Sequence, residues 1–238
     1  MKIALLGYGK MGKRISEIAK TQGHQIVVVI NRGDDQSHFG NADVAIDFST
    51  PDAAPILISA ALDAGLPVVS GTTGWLSQYD DLSSKCLDRN GAFLYASNFS
   101  IGVNVFFELN RKLSQMMRNI HGYKVKLTET HHTEKIDAPS GTALSLINDI
   151  IVESAYKTWS MDPNNTSLDT VLVEAKREGV VPGIHDIQYK SVIDTISIKH
   201  EAHSRDGFAQ GALIAAQWII GKRGLFTMRD VLEGHTMM

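Results

Sequence analysis

One junction near the start constrains this chain most. The apolar run Lys2–Leu6 passes straight into Gly7-Tyr8-Gly9-Lys10-Met11-Gly12, and residues at helical spacing continue to Thr21. In G-x-G-x-x-G the first glycine permits a tight turn, the second lets a backbone come close to a pyrophosphate, and the third lets helix and strand pack closely. The start of the helix adds free N–H groups and the positive end of its dipole. Alone, the pattern also fits an ordinary tight turn; here the strand before it and the helix after it supply the context that dinucleotide binding requires.

Alternation continues through the first hundred residues. Gln25–Ile30, Val44–Phe48, Pro67–Ser70 and Ala92–Ala96 are short Val/Ile/Leu/Ala-rich runs with little polar alternation, as expected of strands covered on both faces. Helical spacing recurs over Asp52–Ala64, with Thr50 as N-cap and Gly65 past the end, and over Ser77–Arg89. Strands alternating with helices at this spacing predict an α/β architecture: a Rossmann-type doubly wound parallel sheet. After Asn98 the order changes. Helices are expected over Val103–Arg118, Thr142–Tyr156, Phe208–Ile220 and Met228–Leu232, and strands over Tyr123–Glu129, Thr170–Arg177, His185–Lys190 and Thr195–Glu201. Strands bunched in this way predict a second, α+β layer.

The totals exclude several classes. The net charge of −3 gives no argument for nucleic acid or an anionic membrane. A single cysteine, Cys86, rules out an intrachain disulfide and any C-x-x-C centre. No segment approaches the roughly 20 apolar residues of a membrane helix, and the first residues lack the apolar core of a signal peptide. A cytoplasmic protein is expected.

The second strand should end near an adenosine ribose, about 20 residues beyond the glycines. That position reads Asn31-Arg32. Asn31 can donate and accept without repelling a phosphate, and Arg32 can pair with a 2′-phosphate. NADPH, with NADH tolerated, is the expectation; a solvated surface arginine is an equal reading of Arg32. Gly71-Thr72-Thr73-Gly74 and Ala96-Ser97-Asn98-Phe99-Ser100 close the fourth and fifth strands. Ligands of doubly wound sheets bind at that edge, although each turn taken singly is also ordinary turn chemistry.

A second constellation lies at residues 129–142, ETHHTEKIDAPSGT. Histidine exchanges protons near neutral pH. Neighbours on an extended segment point to opposite sides, so His131 and His132 should have different duties. Lys135 adds a cation, and Ser140-Gly141-Thr142 opens a helix whose N–H groups suit a carboxylate or phosphate. A bare Ser or Thr N-cap is the plainer reading of that turn, but a cap needs no histidines and lysine upstream. Zinc fits poorly, because the spacing is not HExxH and no cysteine is near. The group suits a small anionic substrate whose charge the turn and Lys135 neutralise while an imidazole moves a proton.

The run from Glu129 through His131-His132, Lys135 and Asp137 to Pro139-Ser140-Gly141-Thr142 resembles the signature of the 4-hydroxy-tetrahydrodipicolinate (dihydrodipicolinate) reductase family. GYGKMG, GTTG, ASNFSIGVN, the stretch His200 to Arg205 and GLFTMRDVL extend the likeness over essentially the whole chain. The resemblance implies a nucleotide-binding domain formed by residues 1–98 and 214–238, and a substrate-binding and homotetramer-forming domain at 99–213. It implies His131 as proton donor or acceptor and Lys135 as second proton donor, with His132, Ser140, Gly141 and Thr142 on the substrate dicarboxylate. Gly7 to Gly12, Asn31, Arg32, Gly71 to Thr73 and Ala96 to Phe99 would line NADPH or NADH. Asn31 departs from the acidic residue usual in the family. Two rival readings are another two-domain NAD(P)H enzyme, which would not need the His-His-Lys-turn order, and a non-catalytic dinucleotide sensor, which would consume no reduced nicotinamide.

Overall fold

The computed structural model describes residues 1–35, 38–204 and 206–235. The chain divides into two compact units, Met1–Ile101 with Asp206–Met238, and Gly102–Arg205. The second boundary falls immediately before a helix, so the whole of that helix belongs with the N-terminal unit. Arg205 lies outside the described residues.

In the first unit β1 (Lys2–Leu6), β2 (Gln25–Ile30), β3 (Val44–Asp47), β4 (Val68–Ser70), β5 (Ala92–Tyr95) and β11 (Gly224–Phe226) form a parallel sheet in the order β11-β5-β4-β3-β1-β2. The order reverses at β1, which makes the crevice between the ends of β1 and β3 the switch point where ligands of such sheets bind. Strand alternation feeds two cores. Ile3 and Leu5 face α1 (Lys10–Thr21), α6 (Asp206–Ile219) and α7 (Met228–His235); Ala4 and Leu6 face α2 (Ala54–Asp63) and α3 (Tyr79–Asp88). Each fully buried Leu or Ile contributes about 1.5–3 kcal/mol. The tightest approach is at Gly211 of α6, where a Cβ would stand 1.7 Å from the carbonyl oxygen of Phe99.

The second unit has the mixed sheet β10-β9-β6-β8-β7, built from β6 (Lys124–His131), β7 (Thr158–Ser160), β8 (Thr170–Arg177), β9 (Gly183–Lys190) and β10 (Thr195–Ala202). β6 pairs antiparallel with β9 and parallel with β8. Val125, Leu127, Val171, Val173, Ile187 and Tyr189 turn one face toward α4 (Ile101–Met117) and α5 (Gly141–Glu153), burying Phe106, Leu146, Ile147 and Ile150.

Some local expectations need correction. Helix α2 starts at Ala54, not Asp52, and Thr50 does not cap it through its side chain. A turn at 51–53 closes first, with the N–H groups of Ala53 and Ala54 donating to the Thr50 carbonyl at 3.0 and 2.9 Å. Strands β7 and β11 have three residues each, too few for a readable period.

Candidate active site

In the nucleotide-type unit the glycine turn is fixed by steric necessity. Gly7 has φ +90°, and a Cβ there would stand 2.6 Å from the Phe48 carbonyl oxygen; one at Gly12 would stand 2.3 Å from the Gly7 carbonyl oxygen. At Gly9 a Cβ would meet nothing within 4 Å, so this glycine faces open space. Gly9 is also the N-cap of α1, without a side-chain cap and with no acidic residue in the first turn. These features fit a pyrophosphate. Tyr8 and Lys10 are exposed, whereas Met11 packs against the core.

At the end of β2, Asn31 Oδ1 accepts the Tyr8 N–H at 3.1 Å, and the Asn31 N–H donates to Asp34 at 2.7 Å. Asn31 therefore braces the glycine turn. Arg32 pairs with Asp52 at 3.4 Å, both side chains being more than 70% exposed (72% and 75%); such pairs are weak and easily exchanged for another anion.

Asp47, at the end of β3, is wholly buried. It accepts from Ser49 Oγ at 2.6 Å, the Ser49 N–H at 3.1 Å and Ser70 Oγ at 2.7 Å. The Ser49 N–H also reaches Thr72 Oγ1 at 2.9 Å, which locks the 47–49 turn to the 71–74 turn. Burial pushes the Asp47 carboxyl above the usual range, and the hydroxyl bonds oppose the shift without cancelling it. Gly71 lies against the Phe48 ring, where a Cβ would stand 2.3 Å from its edge. Thr72 is buried and accepts Trp75 Nε1 on its carbonyl at 2.6 Å, and Thr73 is exposed. In the last turn Ala96 is half-buried and Ser97 exposed; Asn98 is buried and accepts the Ser100 N–H at 2.9 Å. The Phe99 side chain belongs to the core, 5.7 Å from the Phe48 ring centre. The expected cofactor residues thus share the C-terminal edge of β1, β2, β4 and β5.

In the second unit strand period and register assemble the signature. Glu129 and His131 share one face of β6 because they are two residues apart. Register places His185 of β9 opposite Glu129, and Arg177 of β8 beside His131. Glu129 is completely buried. Both its oxygens accept the Ser140 N–H at 3.1 Å, Arg177 Nη2 donates to Oε1 at 3.3 Å, and His185 Nε2 and His131 Nδ1 lie 3.7 and 3.6 Å from Oε2. Burial alone would raise this carboxyl. The contacts from His185 and Ser140 outweigh burial and hold it down at about 2.

Arg177 also donates from Nε to the Lys135 carbonyl at 3.1 Å and from Nη2 to the Asp137 carbonyl at 2.5 Å, pinning the signature loop. Ser140 is the N-cap of α5 and accepts the Ala143 N–H at 3.1 Å. Gly141 is exposed, and a Cβ there would meet nothing within 4 Å, so the first turn of α5 is open. Thr142 is half-buried beside it.

The two histidines do differ. His131 is 7% exposed, and burial lowers it to about 4; Glu129 opposes this, while His185, Lys135 and Arg177 add to it. His132 is half-buried beyond the strand end, its Nδ1 buried and unpartnered. Lys135 Nζ bonds both oxygens of Asp137, at 2.7 and 2.8 Å. Nitrogens of His131 and His185 and an oxygen of Glu129 lie within 4.8 Å of one another, close enough for a metal ion. The Ser140 amide and the Arg177 guanidinium already occupy that carboxylate, however, and a guanidinium opposes a cation at the same place. Arg177 and His185 were not among the expected site residues, and Glu129 had no assigned role. The Glu-x-His spacing on one strand was a signal for Glu129. Cross-strand register, which brings in the other two, is not written locally.

Residues 1–99 match the model for the N-terminus of dihydrodipicolinate reductase, and residues 102–232 the model for its C-terminus. A 4-hydroxy-tetrahydrodipicolinate reductase of Christiangramia forsetii is 49% identical over 237 residues, 98% of each chain. One of Staphylococcus saprophyticus is 35% identical over 248 residues, 97% of this chain and all of that one. Among solved structures, a dipicolinate-bound dihydrodipicolinate reductase from Paenisporosarcina sp. TG-14 matches with a TM-score of 0.76 at 20% identity, over 95% of this chain and 97% of that one. A scyllo-inositol dehydrogenase from Lactobacillus casei with bound NAD(H) and scyllo-inositol reaches 0.57 at 13% identity, over 92% and 88%. At these identities the structural likenesses are of fold.

Proposed function

The chain belongs to the dihydrodipicolinate reductase family, and from that premise we propose how its residues divide the work of reducing 4-hydroxy-tetrahydrodipicolinate to tetrahydrodipicolinate, on the diaminopimelate route to lysine. It is an oxidoreductase dependent on a pyridine nucleotide. The observation that carries the reading is the open first turn of α5, joined to His131 at the end of β6 by the loop that carries Lys135.

The N–H groups at Gly141 and Thr142, with Ser140 and His132, hold the ring carboxylates. Gly7 to Gly12 receive the pyrophosphate, and the turns at 71–73 and 96–99 flank the nicotinamide half. When bound, the reduced nicotinamide supplies the hydride. His131 and Lys135 manage the protons. In the resting enzyme His131 is neutral at pH 7, since its value is about 4. A doubly anionic ring beside it favours the imidazolium, so substrate binding itself primes His131 to take up and return a proton. Lys135 begins the cycle shared with Asp137 and is turned to the substrate when a carboxylate competes for it.

Both nucleotides are accepted, and Arg32, exchanging Asp52 for a 2′-phosphate, favours NADPH. The protein works in the cytoplasm; no helix of the described residues is long and apolar enough to cross a membrane. A homotetramer is formed through the second unit, whose sheet face away from α4 and α5 presents Thr128, Glu174, Asp186 and Gln188. Light scattering giving a monomer would remove that assignment.

The test is nicotinamide absorbance with freshly condensed pyruvate and aspartate semialdehyde as substrate source. Rapid oxidation is expected, falling by about a hundredfold or more in His131→Gln and in Lys135→Ala. Pyridine-2,6-dicarboxylate should compete with substrate. Full activity in both variants would overturn the roles.

A further inference from the structure

We propose that Glu129 is a positioning residue of the proton-transfer site: its carboxylate, held between the Ser140 amide and the Arg177 guanidinium, selects the ring orientation and tautomer of His131. The inference rests on the functional reading above for the use made of His131, and on geometry alone for how the ring is held.

His131 Nδ1 is buried without a hydrogen-bond partner, and Glu129 Oε2 lies 3.6 Å from it. That separation is slightly beyond a hydrogen bond, and a small ring rotation closes it. A lone pair aimed at a carboxylate is repelled, whereas an N–H aimed at it is attracted. Nδ1 therefore carries the resident proton, and Nε2 is left as the exchangeable position. Gly183 stands beside Nε2, where a Cβ would come within 3.2 Å, so the bare backbone leaves that nitrogen room.

Glu129 is suited to this duty because it stays ionised while wholly buried. The charged groups around His131 come from every neighbouring element. Glu129 lies on its own strand, His185 on β9 with ring centres 5.2 Å apart, Arg177 at the end of β8, and Lys135 on the loop, sharing its charge with Asp137. His200 of β10 pairs across from His185 one strand further out. Of the groups acting on His131, Glu129 favours the imidazolium; His185, Lys135 and Arg177 oppose it. The same carboxylate anchors the N-cap of the anion-binding helix, so one buried charge coordinates substrate grip with proton transfer.

The test uses Glu129→Gln. An amide keeps the shape and can still accept from Ser140, but its NH2 facing His131 would favour the Nε2–H tautomer. Long-range 15N–1H spectra of ring-labelled protein, with His131→Gln as the assignment blank among nine histidines, read this without turnover. The expected result is an Nδ1–H tautomer in the native enzyme, a shift toward Nε2–H in Glu129→Gln, and a lower titration midpoint. Kinetically, kcat should fall about tenfold to a hundredfold with KM changed less than about threefold, and the alkaline limb of the kcat profile should move to lower pH. Unchanged tautomer, midpoint and profile, with only a lower melting temperature, would reduce Glu129 to a structural residue. Should Glu129→Gln fail to fold, an Nε2–H tautomer at His131 in the native enzyme overturns the proposal by itself. If the tautomer shifts but the substrate is not turned over, the geometry stands and the functional reading fails.

Discussion

Each unit buries one carboxylate completely near the end of a strand, and the two are displaced in opposite directions. Asp47 is met by hydroxyls and an amide, and burial pushes it up. Glu129 is met by an amide, two imidazoles and a guanidinium, and it is held down at about 2. At Asp47 the hydrogen bonds lower the cost of burying a charge without removing it; at Glu129 the contacts from His185 and Ser140 outweigh burial and reverse the sign. The first carboxylate is therefore a brace for turns whose ionisation is disfavoured by its burial. The second is a fixed charge whose ionisation other groups depend on.

The comparison can be broken most forcefully at Arg177. Arg177→Met strips a counter-charge from Glu129 and frees the Lys135 and Asp137 carbonyls, and about 3 kcal/mol of stability should be lost in urea unfolding at pH 7. A change below about 1 kcal/mol would mean that Glu129 does not need its guanidinium.

Acid comes next. His131 has a folded value of about 4, below its unfolded value, so the unfolded chain binds more protons as pH falls from about 6.5 to 4. Stability should fall across that window by up to about 3 kcal/mol from this group. Glu129, also depressed, withdraws its own share below about 4.5, as pH falls toward 2. Denaturation midpoints at pH 7, 5.5 and 4.5 measure this, and His131→Gln should flatten the upper part of the slope. Asp47 runs the other way: its raised value costs stability as pH climbs through the carboxylate range. Asp47→Asn should accordingly leave the protein unchanged or more stable by about 1 kcal/mol at pH 7, whereas Glu129→Gln destabilises it. Equal signs would erase the distinction between the two sites. The smallest effect is at Arg32→Ala, where an exposed pair should cost less than about 0.5 kcal/mol. Its consequence belongs to the KM ratio of NADPH to NADH, and an unmoved ratio would remove Arg32 from cofactor selection.

Much of this was legible in the residues. Short apolar-rich runs such as Val44–Phe48 and Pro67–Ser70 read as strands covered on both sides, and the glycine pattern from Gly7 to Gly12 read as a turn between strand and helix. The signature gave His131, Lys135 and the Ser140 cap because they are close along the chain. Arg177 and His185 were not legible. They reach Glu129 through pairing of β6 with β8 and β9, and the choice between parallel and antiparallel partners is made by global topology. Asp47 was hidden differently: it lies inside an apolar strand, and of its neighbours Ser70 read as a strand end and Thr72 as a turn residue.

The return of α6 and β11 to the first sheet has a consequence for biosynthesis. Ile3, Leu5, Val44, Ile46, Val69 and Leu94 share a core with Ile15, Ile18 and Ala19 of α1, but their partners on α6 and α7 arrive only after residues 102–205 have been translated. At typical elongation rates an apolar sheet face waits on the order of ten seconds at the ribosome. The middle unit, being continuous, can close first. Ribosome-arrested chains ending before residue 206 should therefore bind a hydrophobic dye or a chaperone that chains extended past residue 235 release; equal binding by both would show that the nascent sheet finds another cover.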